Sequence, residues 1–237
     1  MNDHLDRAPT SPTASAVDAG EIARRVAAVR RRIDEISGGR AVRLVAVAKG
    51  FGSDYVDAAV AAGVTLIGEN YAQELLQKAA AGAGGMGVRW HFIGAIQRNK
   101  VAHLAPFVSV WQTVDRPAVA EAIASHSPGA SALVQVNLTG DAARSGCSWS
   151  DAPAMVEAAR DAGLEVRGLM GIGPAGDPEA SREPFAALAA MARRLGLPDV
   201  SMGMSGDYEV AVAEGSTMVR LGTALFGPRT RSDDLRR

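Results

Sequence analysis

Two groups of residues near opposite ends of this 237-residue chain carry recognisable chemistry. The first is Lys49, which closes the apolar run "LVAVAK". Of the 25 basic residues, only Lys49, Lys78 and Lys100 are lysines. For a solvated charge arginine serves as well, but only an amine condenses with a carbonyl to form an imine. Partial desolvation at the end of a buried strand lowers an amine's pKa and makes it the better nucleophile. The plain alternative is a strand-end lysine in solvent. The second group lies near the other end, in "SMGMSGD" and "VRLGTALFG". Here Ser205 with Gly206, and Gly222 with Thr223, each follow a short apolar run. Small residues let backbone N–H groups approach an anion, and the two hydroxyls can donate to it. Taken singly, such pairs also make ordinary caps and turns.

The elements that must position these residues follow from periodicity. In "AGEIARRVAAVRRRIDEIS", Ile22, Val26, Val29 and Ile33 recur three or four apart, which predicts an amphipathic helix ended by Gly38 and Gly39. "VRLVAVAK" predicts a strand buried on both faces. The helix "SDYVDAAVAAG" follows with Ser53 as its cap, then the strand "VTLIGEN", the helix "YAQELLQKAAA" and the strand "RWHFIGA". The alternation continues with a short helix in "QRNKVAHLAP", the strand "FVSVWQTV", the helix "RPAVAEAIASH" and the strand "SALVQVNL". After these come the helix "SDAPAMVEAARDAG", the strand "LEVRGLMGI", the long helix "PEASREPFAALAAMARRLG", the strand "DVSMGM", the helix "GDYEVAVAEG" and the strand "TMVRLGTALFG".

Regular βα alternation implies parallel pairing with right-handed crossovers. Eight such units predict an α/β fold, a single-domain (β/α)8 TIM barrel with an extra N-terminal helix, rather than an open doubly wound sheet. The expected organisation is a disordered polar tail over residues 1–18, one barrel domain over 19–228 and a polar C-terminal tail over 229–237.

Barrels of this kind carry their chemistry at the C-terminal ends of the strands and often bind phosphate after strands seven and eight. Lys49 ends the first strand, on the side shared by Val45 and Val47, and so points into the mouth if that side faces inward. A lysine facing a phosphate cup suits a phosphorylated aldehyde held as an imine, and pyridoxal 5′-phosphate (PLP) is the obvious candidate. Arg220, on the face of Met218 and opposite Val219 and Leu221, is directed inward and needs a partner. Two readings stand. It pairs with a core carboxylate such as Glu69, or it donates to a pyridine nitrogen and keeps it unprotonated, which weakens the ring as an electron sink.

The chain resembles the pyridoxal phosphate-binding homeostasis proteins, single-domain relatives of the barrel of bacterial alanine racemase. The resemblance rests on "LVAVAK", "IGENYAQELLQKA", "WHFIG" with "IQ" and "NK" around Ala95 and Arg98, "QVNLTG" with "SGC", "GLMGIGP" and "SMGMSGDYEVAVAEGSTMVRLGTALFG". It implies that Lys49 forms the aldimine with PLP, that Ser205, Gly222 and Thr223 bind its phosphate, that Arg220 lies by the pyridine nitrogen and that Asn70 lies beside the cofactor. It further implies a carrier or regulator acting in intracellular vitamin B6 homeostasis, without robust catalytic activity and with PLP-dependent apoenzymes as recipients, as a monomer or weak dimer. Two departures stand out. Phe51 sits where the family often has a second lysine, and Ala95 where it usually has His or Pro.

The alternative is an amino-acid racemase of the alanine type. That chemistry needs a second acid/base group on the far face of the cofactor, a tyrosine from an additional β domain in that family. Tyr55, Tyr71 and Tyr208 are all expected in helices, and about fifteen residues follow the last strand. A Schiff-base aldolase would carry its lysine on a later strand, with a carboxylate or tyrosine nearby.

Composition narrows the partners. A net charge of −1 with mixed signs leaves no footprint for nucleic acid. Cys147 is the sole cysteine, so neither an internal disulfide nor a cysteine metal cluster can form, and the expected setting is cytoplasmic. No segment reads as a signal peptide or membrane span. His91 beside Trp90 reads as a packed, hydrogen-bonded histidine or a base at the mouth. Arg98 and Lys100 are expected on a solvated face, Met202 and Met204 in the core, and Cys147 is expected to be inert.

Overall fold

The computed structural model describes residues 17–228. Helix α1 (Ala19–Ser37) buries Ile22, Val26, Val29 and Ile33, and Gly38 ends it at φ 61°. Asp18, read as the last residue of a tail, instead caps this helix: its Oδ1 accepts the Glu21 N–H at 2.9 Å. Val17 packs against the core. The rest of both expected tails lies outside the described residues.

The eight strands are β1 (Arg43–Val47), β2 (Leu66–Glu69), β3 (Arg89–Phe92), β4 (Val108–Val114), β5 (Ser131–Val136), β6 (Glu165–Gly171), β7 (Asp199–Ser201) and β8 (Met218–Leu221). Each pairs in parallel with its neighbours in sequence, and β1 also pairs with β8, which closes the barrel. Around it run α2 (Ser53–Ala61), α3 (Ala72–Ala80), α4 (Val101–Leu104), α5 (Pro117–His126), α6 (Ala152–Asp161), α7 (Arg182–Arg194), α8 (Tyr208–Ala213) and α9 (Thr223–Phe226).

Side chains alternate across the barrel wall. On the helix side, Ala46, Ala48, Ile67, Trp90, Phe92, Trp111, Val200, Val219 and Leu221 join the main core under the helices. Val45, Leu66 and Met218 form a separate cluster inside the barrel. At β2, Gly68 shares the parity of Leu66, and a Cβ there would come within 3.0 Å of Val45 and 3.1 Å of Ile93. Glu69, one residue on, has the opposite parity and belongs to the helix side. Among the described residues no helix is long and apolar enough to cross a membrane.

Several boundaries differ from expectation. Ser53 does not cap α2, because it is the first helical residue; Gly52 is the cap and provides no side-chain bond. The long helix expected from Pro178 opens as a 3-10 turn over Pro178–Ser181, with Asp177 accepting the Glu179 N–H, before α7 begins. Ser205 and Gly206 lie in a turn ahead of α8 rather than opening it. The last strand stops at Leu221, and "TALF" turns into α9, with the Phe226 N–H returning to the Gly222 carbonyl at 2.9 Å. Tyr71 precedes α3 as its cap residue instead of lying within it.

Candidate functional site

The residues singled out in the sequence collect on four contiguous strands, in the order β2, β1, β8, β7. Asn70 directly follows β2, Lys49 stands two residues after β1, Arg220 lies within β8, Gly222 and Thr223 follow it, and Ser205 follows β7. All except Arg220 lie beyond the C-terminal ends of their strands, so they share one mouth of the barrel.

Lys49 is half-buried, two residues beyond the end of β1. It sits in a tight turn closed by the Phe51 N–H donating to the Ala48 carbonyl at 3.0 Å. Gly50 takes the position that needs positive φ, 74°, the geometry of a type II turn. The turn is gripped from outside. Lys78 on α3 donates its Nζ to the Ala48 carbonyl at 2.8 Å and to Glu74 at 3.2 Å, and it pairs closely with Glu69. Glu74 also accepts the Gly50 N–H at 2.7 Å. Burial pushes the Glu69 carboxyl up to about 7 against the pull of Lys78. These three residues were not among the sequence candidates. The i,i+4 spacing of Glu74 and Lys78 was visible, but it is also the pattern of an ordinary solvated helix pair.

At the other side of the mouth, the Ser205 Oγ accepts the N–H groups of Gly222 at 3.3 Å and Ala224 at 3.1 Å. Two amides thus converge on one oxygen, while the Ser205 hydroxyl keeps its own proton to donate. A Cβ at Gly222 would approach the Val47 carbonyl to 3.3 Å, so a small residue is needed where β8 meets the end of β1. Asp207 shapes the preceding turn, accepting from the Met204 N–H at 2.6 Å and the Ser181 hydroxyl at 3.2 Å. The Ser205 hydroxyl proton, with the neighbouring Thr223 hydroxyl, is a donor set suited to a phosphate monoester.

Arg220 is buried inside the barrel, and its pairing with Glu69 does not occur. The two lie on opposite sides of the barrel wall, and Glu69 takes Lys78. Arg220 instead donates to the Ser201 hydroxyl at 2.6 Å and the Gly171 carbonyl at 2.9 Å. Burial brings its pKa down to about 10, with Asp207 opposing, so it stays cationic at neutral pH. Because a guanidinium only donates, Ser201 must pass its own proton on, to Gln112 Oε1 at 2.7 Å. That orients the Gln112 amide nitrogen toward His91 Nδ1 at 2.6 Å, which must then be an unprotonated acceptor. His91 is therefore a packed, neutral member of a buried chain, and burial, with Arg43 and Arg89, brings its pKa down to about 3.

The remaining motifs are architectural. Phe51 is buried against Tyr55 and Phe226, with ring centroids 4.7 and 5.0 Å away. It thereby ties the Lys49 turn to α9. The "QVNLTG" and "SGC" stretches build the loop after β5. Asn137 Oδ1 there takes the N–H groups of Thr139 and Gly140, and Gly146 lies so close to Asn137 that a Cβ would reach its nitrogen at 2.6 Å. A cavity of about 280 Å³ at this side of the mouth is lined by Asn70, Ala95, Thr113 and Arg144. Cys147 is held up to about 11 by burial. Arg98 and Lys100 are exposed; Met202 is buried as expected, but Met204 is 40% exposed beside the Ser205 turn.

The chain is similar to known proteins in both sequence and fold. Residues 17–230 match the family described as alanine racemase, N-terminal domain. The pyridoxal phosphate homeostasis protein of Pseudomonas aeruginosa is 42% identical over 226 residues, covering 88% of this chain and 96% of that protein. The protein of the same name from Deinococcus radiodurans is 42% identical over 200 residues, covering 81% and 93%. Among solved structures, PipY of Synechococcus elongatus with PLP bound superposes with a TM-score of 0.77 at 30% identity, covering 87% of this chain and all of that one. The alanine racemase of Corynebacterium glutamicum, at 18% identity and a TM-score of 0.69, covers 90% of this chain and 62% of that one, and shares the fold. With a closed barrel, these motifs and identities of this size over most of both chains, the protein belongs to the alanine racemase N-terminal domain family and, within it, to the pyridoxal phosphate homeostasis proteins.

Proposed function

We propose that this protein holds PLP covalently on Lys49 and serves the homeostasis of that cofactor, as a carrier or regulator. The observation that carries the reading is the juxtaposition at one barrel mouth of the turn that bears Lys49, after β1, and the turns at Ser205 and at residues 222–224, after β7 and β8. When bound, PLP supplies an aldehyde that condenses with a primary amine, releasing one water. The chain's own residues account for the rest. Lys49 brings the amine to the mouth. The Ser205 hydroxyl, held by the Gly222 and Ala224 amides, and the Thr223 hydroxyl donate to the phosphate and set its distance from that amine. Asn70, from the end of β2, borders the ring. Arg220 holds a permanent positive charge under the site, fixed by Ser201 and Gly171. A group that donates toward the ring nitrogen keeps that nitrogen unprotonated, which suits a carrier better than an enzyme that must stabilise a carbanion.

The direct test is borohydride reduction of the PLP-treated protein followed by peptide mapping. The expected result is a visible absorbance band that borohydride bleaches, with one pyridoxyl group on Lys49 and none in Lys49→Ala. A colourless protein, or label spread over Lys78 and Lys100, would overturn the proposal. Delivery to recipients is tested by comparing reactivation of a PLP-dependent apoenzyme by the loaded protein and by free PLP at equal concentration. Faster or more complete reactivation by the loaded protein supports a carrier, and equal rates refute delivery.

A further inference from the structure

The acid–base–acid group of Glu69, Lys78 and Glu74 is costly to bury and needs a reason for its place. Lys78 is 7% exposed, Glu69 fully buried and Glu74 14% exposed at their side chains. A buried ion pair is weak evidence for stability, since apolar residues of similar volume often do as well. What distinguishes this one is what it holds. An ammonium has three donors. Those of Lys78 go to three different partners: Glu69, Glu74 and the Ala48 carbonyl. Glu74 spends the same Oε2 on the Gly50 N–H. The Ala48 carbonyl belongs to the peptide bond before Lys49, and the Gly50 N–H to the peptide bond after it. Both peptide groups flanking Lys49 are thus hydrogen-bonded from behind by one turn of α3, and with them the backbone angles that aim its side chain.

We propose that Lys78, anchored by Glu69 and Glu74, is a positioning residue for Lys49, clamping the two peptide groups around it so that its amine is presented to the mouth before any ligand arrives. The inference rests on Lys49 being the attachment point. Without the clamp, the turn samples other orientations, and the fraction competent for condensation falls. The phosphate-binding groups belong to β7, β8 and α9 and share no hydrogen bond with this cluster, so their affinity changes far less than the condensation rate.

The experiment separates the two ends of the ligand. Condensation is followed as the rate of appearance of the visible band on mixing with PLP. Binding that does not involve the amine is measured with 4′-deoxypyridoxine 5′-phosphate, which carries the ring and phosphate but no aldehyde. A third readout, hydrogen exchange at the Gly50 amide in protein without any ligand, reports the clamp itself. Loss of one such hydrogen bond is expected to slow condensation about fivefold in Glu74→Ala, and loss of the ammonium about tenfold or more in Lys78→Met. Analogue affinity should stay within about twofold, while Gly50 exchange accelerates about fivefold or more in both. Glu74→Gln, which keeps an acceptor for the Gly50 N–H, should restore condensation toward wild type. If Lys78→Met does not fold, the Glu74→Ala and Glu74→Gln pair decides. Faster Gly50 exchange with an unchanged condensation rate overturns the inference, and so does a parallel loss of analogue affinity, which marks a general structural role. Wild-type protein that binds the analogue but is never labelled on Lys49 sinks the proposed attachment point, whatever Gly50 exchange shows.

Discussion

Replacing His91 with glutamine isolates one proton in the stability of the barrel. The donor chain from Arg220 through Ser201 and Gln112 requires His91 Nδ1 to accept, so the ring folds neutral. Its pKa falls from the usual 6.5 to about 3 on folding, chiefly through burial. A group whose folded pKa is depressed contributes fully above its unfolded pKa, and that contribution is lost as pH falls through the window between the two. At about pH 5 the unfolded chain has taken up this proton and the folded chain has not, which costs about 2 kcal/mol relative to about pH 7.5. Glu69 runs the other way: its pKa rises from 4.5 to about 7 on folding, so its ionisation costs stability as pH climbs through that range. On acidification from about pH 7.5 to 5 it therefore opposes the His91 contribution in wild-type protein. His91→Gln offers Gln112 an acceptor and takes up no proton. Urea unfolding followed by tryptophan fluorescence should show the variant gaining about 2 kcal/mol on wild type between about pH 7.5 and 5, whatever its offset at neutral pH. Comparison with wild type cancels the Glu69 contribution. Parallel pH dependences for the two proteins would refute the neutral assignment of His91 and the donor order derived from it.

Three other outcomes follow from the same geometry. Ser205→Ala removes the oxygen on which the Gly222 and Ala224 amides converge, and is expected to weaken PLP and 4′-deoxypyridoxine 5′-phosphate alike by about tenfold in a fluorescence titration, while saturating PLP still labels Lys49. Phe51→Ala empties the ring cluster with Tyr55 and Phe226 and should cost about 3–5 kcal/mol in urea unfolding. Cys147, held up to about 11 by burial, should react with iodoacetamide at about pH 8 at least about tenfold more slowly than the same thiol in urea-unfolded chain.

How far the chain could be read in advance depended on whether one element or two had to be known. The alternation of eight apolar runs with helical periodicities predicts a closed barrel because each signal is local. Parity along a strand is local too, and it put Arg220 on the inner face. The same rule, applied to "LIGEN", would have placed Glu69 outside, since Gly68 takes the inward position beside Val45. Of the two readings of Arg220, the pairing with Glu69 overlooks that parity. The pairing that does form needs a second fact, that the helix after β2 lies over β2's outer face with Lys78 one turn beyond Glu74. Spacing alone marks Glu74 and Lys78 as neighbours on a helix and says nothing of what covers them. The turn of "TALF" into α9 was hidden for the same reason, because the amides that leave the ladder are taken by Ser205, seventeen residues and one strand away.

The strands that matter most at the mouth are joined by more than their ladder. Phe51, on the loop that follows Lys49, packs on Phe226 at the end of α9, whose first turn supplies the Ala224 amide. Gly222 lies against the carbonyl of Val47, two residues before the lysine. The amine that would hold one end of a phosphorylated aldehyde and the Ser205 and Thr223 hydroxyls that would hold the other are therefore carried on one packed unit, so their separation is set by buried contacts rather than by two independent loops. A ligand is then required to match a fixed span, which lowers the ordering cost of binding and favours one length of phosphorylated aldehyde over shorter ones. A Phe51→Lys substitution would remove the ring contact to Phe226 and leave the β1–β8 ladder and the Gly222 approach to join the two ends of the site. The phenylalanine thus stiffens the connection between the two halves of the site.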